Sequence, residues 1–501
     1  MATFLDARTL PAGTTLSPDL AIIGGGPAGI SLALALAQSG FSILLLESGG
    51  LHFERKIQDL YDGERTGVAY VPLDGGRLRF LGGSTNHWGG YCRPLDAIDF
   101  EKRGWVPHSG WPFGQDALAP YYPRAQSLVE AGPWLYDKAA PVAAAQGAPL
   151  PLAEGGLYTS WFQFSKTRGG VLPTYFGHRY ENDLKRAAHV TPCLHASVTG
   201  IRLSHDARHV DHLDVATLAG NRFTVKPRFV VLACGGMENA RLLLVSNDVM
   251  TTGIGNGNDL VGRFFADNPI PRDVGTLVVF SGQLAPYYGN SMAMDANGPV
   301  LRAVFSPRAD FARARRVVGS LTTVENPVKL DPLGVAAVEA TAEALGVDAS
   351  NARAWSLGCG MEMLPDPDRR LTLTDERDAL GLPRLKLAMS IPDSDFTNYN
   401  LTLAELGRQL LAARVGMVRI NHHARDQWLA AMDWGNHHLG TTRMSEDPKQ
   451  GVVDANSQVH GVANLYVAGS SVFPTYGSSN PTLNLLALTL RLGDRLREVM
   501  A

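Results

Sequence analysis

The sequence predicts an α/β protein built from more than one domain, and three observations support this prediction. The chain has 501 residues, more than a single hydrophobic core usually supports. Apolar residues make up 45% of it, which is enough for sizeable cores. Near the N-terminus, a strand pattern, a glycine-rich turn, a helix pattern and a second strand pattern follow one another. That order is typical of a parallel sheet whose strands alternate with helices.

The N-terminal segment carries the clearest local pattern. An apolar run at 19–23 predicts a strand that ends in the glycine-rich turn 24–29. Alanine and leucine dominate 30–38, which predicts a helix, and a second apolar strand is predicted at 41–46. This strand ends at Glu47, so the segment predicts a strand, turn, helix, strand and acidic residue in that order.

Each glycine of the turn has a physical task in such a unit. Gly24 permits a tight turn, Gly26 lets the backbone approach a pyrophosphate, and Gly29 lets the helix pack closely on the strand. The helix start offers free N–H groups and a positive dipole to phosphates, and Glu47 is placed to accept a hydrogen bond from a ribose hydroxyl. The pattern predicts dinucleotide binding, although the motif alone does not choose between FAD and NAD. The alternative is a glycine-rich turn in another kind of α/β protein.

Charge and cysteine usage exclude several other classes. The 45 basic and 48 acidic residues nearly balance and form no long run of one sign. This argues against a nucleic-acid partner and against a polybasic membrane-binding surface. The cysteines lie far apart, without a metal-type cluster or a close redox pair, so we expect reduced thiols and no metal site. They are Cys92, Cys193, Cys234 and Cys359.

No targeting or membrane signal is visible in the sequence. The start of the chain, 1–6, lacks a basic region followed by an apolar stretch, and no apolar segment reaches the length of a membrane span. We therefore expect a soluble cytoplasmic protein.

The segment Arg-Phe-Leu-Gly-Gly-Ser-Thr-Asn-His-Trp-Gly-Gly at 79–90 combines glycines with small polar residues, which suggests backbone that passes close to a flat or charged ligand. The strand-like run 229–234 leads into Gly-Gly-Met-Glu-Asn-Ala-Arg and a leucine-rich helix. The most distinctive patterns lie toward the C-terminus: His-His-Leu-Gly-Thr from 437, Gly-Val-Val-Asp from 451, Asn-Leu-Tyr-Val from 464 and Ser-Val-Phe-Pro-Thr from 471. Asn-Pro-Thr then follows from 480, before a helix of leucines and alanines.

With these motifs, the chain resembles the glucose-methanol-choline (GMC) oxidoreductase family along almost its whole length. The resemblance implies a Rossmann-like FAD-binding domain that is discontinuous in sequence, with a substrate domain built on an antiparallel sheet covered by helices. The FAD domain is then expected at 1–110, 190–268 and 432–501, and the substrate domain at 111–189 and 269–431.

The resemblance also assigns the chemistry of alcohol oxidation, which removes a proton from the hydroxyl and a hydride from its carbon. The flavin N5 accepts the hydride in this family. His437 matches the family's catalytic histidine and is expected to be the base, while Asn480 matches its partner and is expected to donate a hydrogen bond to the substrate oxygen. A structural alternative is that His437 only bonds backbone carbonyls and Asn480 only caps the next helix. His438 is the alternative base, and spacing favours His437.

A set of residues is expected to contact FAD because of the glycine turn and the family motifs. They are Gly24, Gly26, Pro27, Ala28, Gly29, Glu47, Ser48, Gly82, Gly83, Ser84, Asn86, His87, Trp88, Val198, Ala233, Gly469, Ser470, Asn480, Pro481 and Thr482. His87 lies where some members of the family carry a histidine bonded covalently to the flavin. The residues around it depart from that pattern, so a covalent link and a simple hydrogen bond both stay open.

The motif details resemble the family branch that contains pyranose oxidase and enzymes oxidising sugars and glycosides. We therefore expect a secondary hydroxyl of a sugar, glycoside or polyol as the substrate, and O₂, a quinone or a redox protein as the electron acceptor. A non-redox lyase on the same FAD fold, like the family's hydroxynitrile lyases, is the alternative. A disulfide reductase would need a close cysteine pair and a second glycine motif, and the sequence has neither.

Overall fold

The computed structural model describes residues 4–137, 147–166, 173–289 and 299–501. Its strands are β1 (Leu5–Asp6), β2 (Thr15–Leu16), β3 (Leu20–Ile23), β4 (Ile43–Leu46), β5 (Gly63–Gly67), β6 (Tyr91–Cys92), β7 (Leu157–Phe164), β8 (Val190–Leu194), β9 (Ser197–Leu203), β10 (Val210–Ala216), β11 (Arg222–Val225), β12 (Phe229–Leu232), β13 (Gly275–Val279), β14 (Leu301–Pro307), β15 (Ser320–Val328), β16 (Arg353–Met361), β17 (Arg370–Arg377), β18 (Pro383–Met389), β19 (Gly416–Ile420) and β20 (Leu465–Val467).

The α-helices complete the set of longer elements. They are α1 (Pro27–Leu36), α2 (Arg55–Gln58), α3 (Ala97–Phe100), α4 (Tyr122–Leu128), α5 (Phe176–Arg186), α6 (Gly235–Val245), α7 (Ala309–Arg315), α8 (Pro332–Leu345), α9 (Asp393–Ala412), α10 (Arg425–Ala430) and α11 (Pro481–Met500). No helix in the described part of the chain combines the length and the apolarity needed to cross a membrane.

A parallel sheet carries the N-terminal unit. Its strand order within the described residues is β1-β8-β4-β3-β12-β20, and all of the pairings are parallel. The four residues of β3 and of β4 are all buried, as is usual for parallel strands covered on both faces. Helix α1 begins at Pro27, which suits a first helical turn because that turn needs no N–H from the residue. The predicted strand–turn–helix–strand unit is therefore confirmed, with boundaries that differ by a few residues.

A second sheet is antiparallel throughout. Its order is β19-β13-β16-β15-β14-β7-β6, so the strands of the region 269–431 pair with one another, and β14 joins them to β7 from earlier in the chain. Helix α9 packs on β19 and β7 and covers one face of this sheet. A Rossmann-like sheet together with an antiparallel sheet and covering helices is the predicted fold class. The exact domain boundaries stay a prediction.

Two smaller sheets complete the described architecture, with strand orders β2-β11-β10-β9 and β17-β18-β5. In the second of these, β5 from the N-terminal region pairs in parallel with β18. This pairing ties the region around 63–67 to the region around 385–389.

The carboxyl ends of the central parallel strands position the site. Strands β3, β4, β12 and β20 all end at the same edge of the sheet, and α1 and α6 start just beyond it. Helix α11 packs along α1 on the far side, which holds its own N-terminus near that edge. In open α/β sheets, ligands bind in the crevice beyond these strand ends.

Candidate active site

A deep cavity of about 340 Å³ opens at this edge of the parallel sheet. This volume lies within the usual range for cofactor and small-molecule sites. The wall includes residues just beyond β3, β4, β12 and β20, together with the starts of α1 and α11. The cavity therefore connects the predicted dinucleotide-binding turn to the C-terminal motifs.

Most residues predicted to contact the cofactor line this cavity. They are Gly24, Gly26, Pro27, Ala28, Glu47, Ser48, Gly83, Ser84, His87, Trp88, Val198, Ala233, Gly469, Ser470, Asn480, Pro481 and Thr482. Their contact with the cofactor itself stays a prediction.

Three predicted residues are set back from the cavity wall and support it. Gly29 faces the turn, and a Cβ built there would lie 1.9 Å from the carbonyl oxygen of Gly24. Gly82 has a left-handed φ of +98°, and a Cβ there would lie 2.6 Å from the side-chain oxygen of Asn86. The amide of Asn86 donates to the carbonyl of Leu81 at 2.9 Å. These residues therefore shape the backbone behind the wall.

Several glycines of the wall leave room beside the backbone. A Cβ built on Gly26, Gly235 or Gly469 would meet no protein atom within 4 Å. Gly26 is the N-cap of α1, so its neighbouring space lies in front of the free N–H groups of that helix. The result is a groove where a phosphate-bearing group can approach the backbone closely.

Glu47 has a second role that the sequence did not reveal. Its carboxylate accepts N–H bonds from Gly25 at 2.8 Å and from Gly49 at 2.9 Å, so it also holds the glycine turn in place. Burial raises the pKa of Glu47, although the N–H groups of Gly49 and Gly25 act in the opposite direction. Each carboxylate oxygen keeps a further lone pair, so Glu47 can still accept a ribose hydroxyl.

At the other end of the cavity, the side chains of His437 and Asn480 meet. Nδ2 of Asn480 lies 3.2 Å from Nε2 of His437. Asn480 is the residue before α11, while His437 belongs to the loop after α10. The two groups predicted to serve catalysis are thus in contact with each other and with the cavity.

The structural alternatives for these two residues do not match the contacts observed. The Nδ1 atom of His437 bonds the side-chain oxygen of Asn268 at 2.8 Å, so both ring nitrogens contact side chains and not backbone carbonyls. Asn480 is the N-cap of α11, but its side chain makes no capping hydrogen bond. Both side chains are therefore directed to the cavity and not spent on local backbone.

Burial controls the charge state of the two histidines. It lowers the pKa of His437 to about 4, and it lowers the pKa of His438 to about 3 with a further contribution from the nearby Arg77 cation. Both rings are therefore neutral near pH 7, and a neutral imidazole has a lone pair that can accept a proton.

Two polar atoms of the same loop lack protein partners among the described residues. They are Nε2 of His438 and Oδ1 of Asn436, and both residues line the cavity. A buried polar atom without a partner costs free energy, so such atoms indicate a place where a bound molecule supplies the missing hydrogen bonds. The backbone supports this loop as well, since Ser470 donates to the carbonyl of His438 at 2.8 Å.

A buried ionic network along one wall was missed by the sequence reasoning. Glu238 pairs with Arg77 at 3.0 Å, with Arg79 at 3.2 Å and with Arg241 at 3.4 Å. Burial would raise the pKa of Glu238, but Arg241, Arg77 and Arg79 outweigh it and lower the pKa to about 2. Arg241 also pairs with Asp378 at 2.7 Å, so this network holds three cations and two carboxylates, and the excess of one positive charge favours an anionic ligand. Only the tertiary fold brings these residues together, so no spacing signal marked them.

His87 also lines the cavity, with an exposed side chain. Burial nonetheless lowers its pKa, which favours the neutral imidazole. A position in the cavity wall is what both predicted alternatives, a covalent link and a hydrogen bond to the flavin, require.

The residues present fit FAD on these observations. The groove at the start of α1 suits a pyrophosphate, Glu47 suits a ribose, and the unpartnered atoms of Asn436 and His438 lie at the end where His437 and Asn480 meet. Among the described residues, no group of His, Cys, Asp and Glu is arranged to hold a metal ion.

Comparisons with known proteins identify related oxidoreductases. Residues 365–489 match the family described as GMC oxidoreductase, and residues 22–54 match an NAD(P)-binding Rossmann-like domain. The chain is 26% identical to the 2-methyl-1,2-propanediol dehydrogenase of Mycolicibacterium austroafricanum, over 95% of this chain and 94% of the relative. It is 24% identical to the fructose dehydrogenase large subunit of Gluconobacter japonicus, over 96% of this chain and 98% of the relative.

A solved structure shows the same fold. The pyridoxine 4-oxidase from Mesorbium loti superposes with a TM-score of 0.59 at 18% identity, over 96% of this chain and 99% of that one. The motifs, the architecture and these matches converge on one assignment. The C-terminal part of the chain matches the GMC oxidoreductase family, and the protein is an FAD-dependent oxidoreductase that acts on CH–OH groups.

Proposed function

We propose that this enzyme oxidises a secondary hydroxyl of a sugar, glycoside or polyol to a carbonyl, with His437 as the base and Asn480 as the hydrogen-bond donor to the substrate oxygen. The observation that carries the proposal is the 3.2 Å contact between Nε2 of His437 and Nδ2 of Asn480 at the cavity wall. A substrate oxygen that takes the place of this hydrogen bond lies within reach of both atoms, so it can lose its proton to the Nε2 lone pair while the Nδ2–H group stabilises its growing charge.

His437 is suited to accept the hydroxyl proton. Its lowered pKa of about 4 keeps the ring neutral, so Nε2 is available as an acceptor at neutral pH. The backbone N–H of His437 donates to the carboxylate of Asp267 at 2.8 Å, which fixes the position of the residue. A base held in place before the substrate arrives loses little entropy in the reaction.

Asn480 is suited to hold the oxygen. Its backbone carbonyl accepts a hydrogen bond from the side-chain amide of Asn484 at 3.2 Å, so α11 anchors Asn480 from one turn further along the helix. An amide N–H directed at an oxygen that gains negative charge typically lowers the barrier by a few kcal/mol.

Bound FAD supplies the acceptor for the hydride that leaves the carbon. The groove at Gly26, the carboxylate of Glu47 and the segment 480–482 would hold it. The remaining chemistry belongs to the protein: binding the substrate, taking the proton at His437 and stabilising the oxygen at Asn480.

The substrate class rests on the relatives together with the family motifs. The names of the two relatives give a diol and a ketose as their substrates, which supports a small polyhydroxylated substrate. The choice of a secondary hydroxyl rests on the family motifs, because 2-methyl-1,2-propanediol has only a primary and a tertiary hydroxyl. The same names support an alcohol oxidation over the lyase alternative, because both describe dehydrogenases.

A substrate panel under anaerobic conditions tests the proposal. D-Fructose, D-glucose, a methyl glucoside, glycerol and 1,2-propanediol are mixed in turn with the holoenzyme, and flavin absorbance is followed. We expect at least one of these to bleach the flavin in the wild type, and His437→Ala to retain FAD but bleach orders of magnitude more slowly. A panel that leaves the flavin oxidised, or wild-type bleaching in His437→Ala, contradicts the proposal.

We further propose that the enzyme works in the cytoplasm and passes its electrons to O₂, a quinone or a redox protein. All four cysteines are free thiols, which agrees with a reducing compartment. Adding O₂ or a soluble quinone to the bleached enzyme identifies the acceptor by the rate at which the absorbance returns. Recovery of the enzyme outside the cytoplasmic fraction of its cells would contradict the location.

A further inference from the structure

A buried asparagine stands behind the catalytic histidine. Asn268 lies directly after Asp267 and is 3% exposed. Its side-chain oxygen lies 2.8 Å from Nδ1 of His437, on the opposite side of the ring from Asn480. Neither the sequence motifs nor the assignments above give this residue a role.

The hydrogen bonds of Asn268 fix which end of its amide faces the histidine. Its Nδ2 donates to the backbone carbonyl of Met361 at 3.0 Å, and a carbonyl can only accept. The reversed amide would place an oxygen against that carbonyl and an N–H against Nδ1, losing one bond. Oδ1 is therefore the atom directed at His437.

The orientation of this amide determines the tautomer of the imidazole. Because Oδ1 of Asn268 can only accept, Nδ1 of His437 must carry the ring proton. In a neutral ring, Nε2 is then left with its lone pair. The contact with Asn480 agrees, since the Nδ2 of that residue donates and Nε2 accepts.

Asp267 holds the backbones of Asn268 and His437 next to each other. Its Oδ1 accepts the backbone N–H of Asn268 at 2.6 Å and that of His437 at 2.8 Å, while Tyr70 donates to Oδ2 at 2.5 Å. The hydroxyl of Tyr476 donates to the carbonyl of Asp267 at 2.7 Å. One fully buried carboxylate thus ties both backbones together, and the amide of Asn268 has little freedom to turn away.

We propose that Asn268 is the positioning residue of the reaction: it holds His437 in the Nδ1–H tautomer, so that the Nε2 lone pair faces the substrate hydroxyl. This inference rests on the proposed role of His437 as the base. The competing role is purely structural, with Asn268 serving only to satisfy the carbonyl of Met361.

The tautomer can be measured without turnover. The holoenzyme is prepared with ¹⁵N-labelled histidine, and the ring nitrogens of His437 are assigned by their loss in His437→Gln. We expect the wild type to show a protonated Nδ1 and an unprotonated Nε2. A protonated Nε2 in the neutral ring would overturn the proposal.

Two variants of Asn268 separate positioning from packing. Asn268→Leu has a similar size but no acceptor, so both tautomers should become populated and flavin reduction should slow by roughly 10- to 100-fold, with FAD retained. Asn268→Asp restores an acceptor for Nδ1–H but also stabilises the imidazolium. It should therefore keep the wild-type tautomer while moving the acid limb of the rate profile to higher pH.

Two titratable groups next to His437 could also affect that pH profile. They are Asp267, which binds its backbone, and His438, which follows it; both are unchanged in the two variants. Asn464→Leu is the matched control for lost stability, because that buried asparagine bonds only the backbone of 210 and 228 in the FAD region. It should lower the melting temperature without changing the tautomer.

The outcomes distinguish the two proposals. If Asn268→Leu keeps a single Nδ1–H tautomer and the wild-type rate profile, Asn268 is structural and the inference is wrong. If His437→Gln reduces the flavin at the wild-type rate while the tautomer still depends on Asn268, the positioning is real but the proposed base is wrong.

Discussion

The side-chain amide of Asn480 lies 3.2 Å from Nε2 of His437, although 43 positions separate the two residues in sequence. The loop after α10 supplies the histidine, and the N-terminus of α11 supplies the asparagine. Asn480 is the N-cap of α11, but its side chain makes no capping hydrogen bond to the N–H groups of the first helical turn. The amide is left to serve the cavity.

Removing this amide should slow the chemical step and leave the cofactor in place. Asn480→Leu has no donor for the substrate oxygen, so we expect flavin reduction to slow by about 10²- to 10³-fold. Anaerobic stopped-flow absorbance measures the rate at saturating substrate, using the fastest compound of the panel above. Unchanged reduction in this variant would show that Asn480 does not contact the reacting oxygen.

Gly435 is required for the approach of the histidine. A Cβ at this position would lie 2.7 Å from Nδ1 and 2.9 Å from Cε1 of His437, closer than real Cβ contacts occur. Gly435→Ala should therefore displace the imidazole and lower the reduction rate at least tenfold, because a misplacement of about 1 Å can cost 10²-fold. Gly104→Ala is the control, since a Cβ there meets no atom within 4 Å. Equal rates in the two variants would contradict this.

Two glycines of the N-terminal turn should fail in different ways. Gly26 has open space beside it, so Gly26→Val should fold yet lose FAD, because the side chain occupies the groove before the helix. At Gly29 a Cβ would lie 1.9 Å from the carbonyl oxygen of Gly24, so Gly29→Ala should disturb the fold itself. Circular dichroism and the flavin content of the purified proteins separate the two outcomes. A Gly26→Val protein that still holds stoichiometric FAD would rule out a phosphate at this turn.

The residues at the two ends of the cavity could be predicted from the sequence because each end has a local pattern. The glycine spacing of the turn indicates by itself a tight backbone conformation, and the motifs around His437 and Asn480 are continuous stretches of chain. Asn268 carries no such signal. It reaches His437 because Ala266 pairs with Leu439 and Pro269 with Trp434 in isolated antiparallel bridges, and such long-range pairing is invisible to local periodicity.

The network around Glu238 was unpredictable for the same reason. Arg77 and Arg79 lie two positions apart in a loop, while Glu238 and Arg241 lie one turn apart on α6. A sequence reading sees four charged residues in two separate segments, and only burial makes them one cluster. One residue type at the site was a local clue. Asn436 has a left-handed φ of 56°, and asparagine adopts this conformation more readily than most residues.

Glu238 should matter more for stability than any exposed carboxylate. Glu238→Gln leaves the buried Arg77 and Arg79 without their counter-charge, while Arg241 keeps its ion pair with Asp378, and breaking such buried pairs costs about 3 to 5 kcal/mol. Urea unfolding of the holoenzyme at pH 7 measures the loss. Glu339→Gln, on the exposed side of α8, should unfold like the wild type. A loss below about 1 kcal/mol for Glu238→Gln would show that water reaches the network.

The pKa of Glu238 also predicts how the loss of stability in Glu238→Gln depends on pH. The folded-state pKa of Glu238 is about 2 and its unfolded value is near 4.5, so its contribution is present above pH 4.5. It declines as the pH falls toward 2, by about 3 kcal/mol in all. The difference in unfolding free energy between wild type and Glu238→Gln should therefore shrink over that range, and a constant difference would contradict the assignment.

The acid limb of kcat/KM should identify the base. Protonation removes the lone pair of His437, so activity is lost as the pH falls through its pKa, which is about 4 and below the ordinary imidazole value of 6.5. Asp267 is the neighbour that could produce a competing limb, because burial raises its pKa to about 6 while the hydrogen bond from Tyr70 lowers it. Tyr70→Phe removes that bond and should raise the pKa of Asp267 further. If His437 is the base, the limb near pH 4 stays in place in Tyr70→Phe; a limb near pH 6 that moves upward in this variant would assign the titration to Asp267.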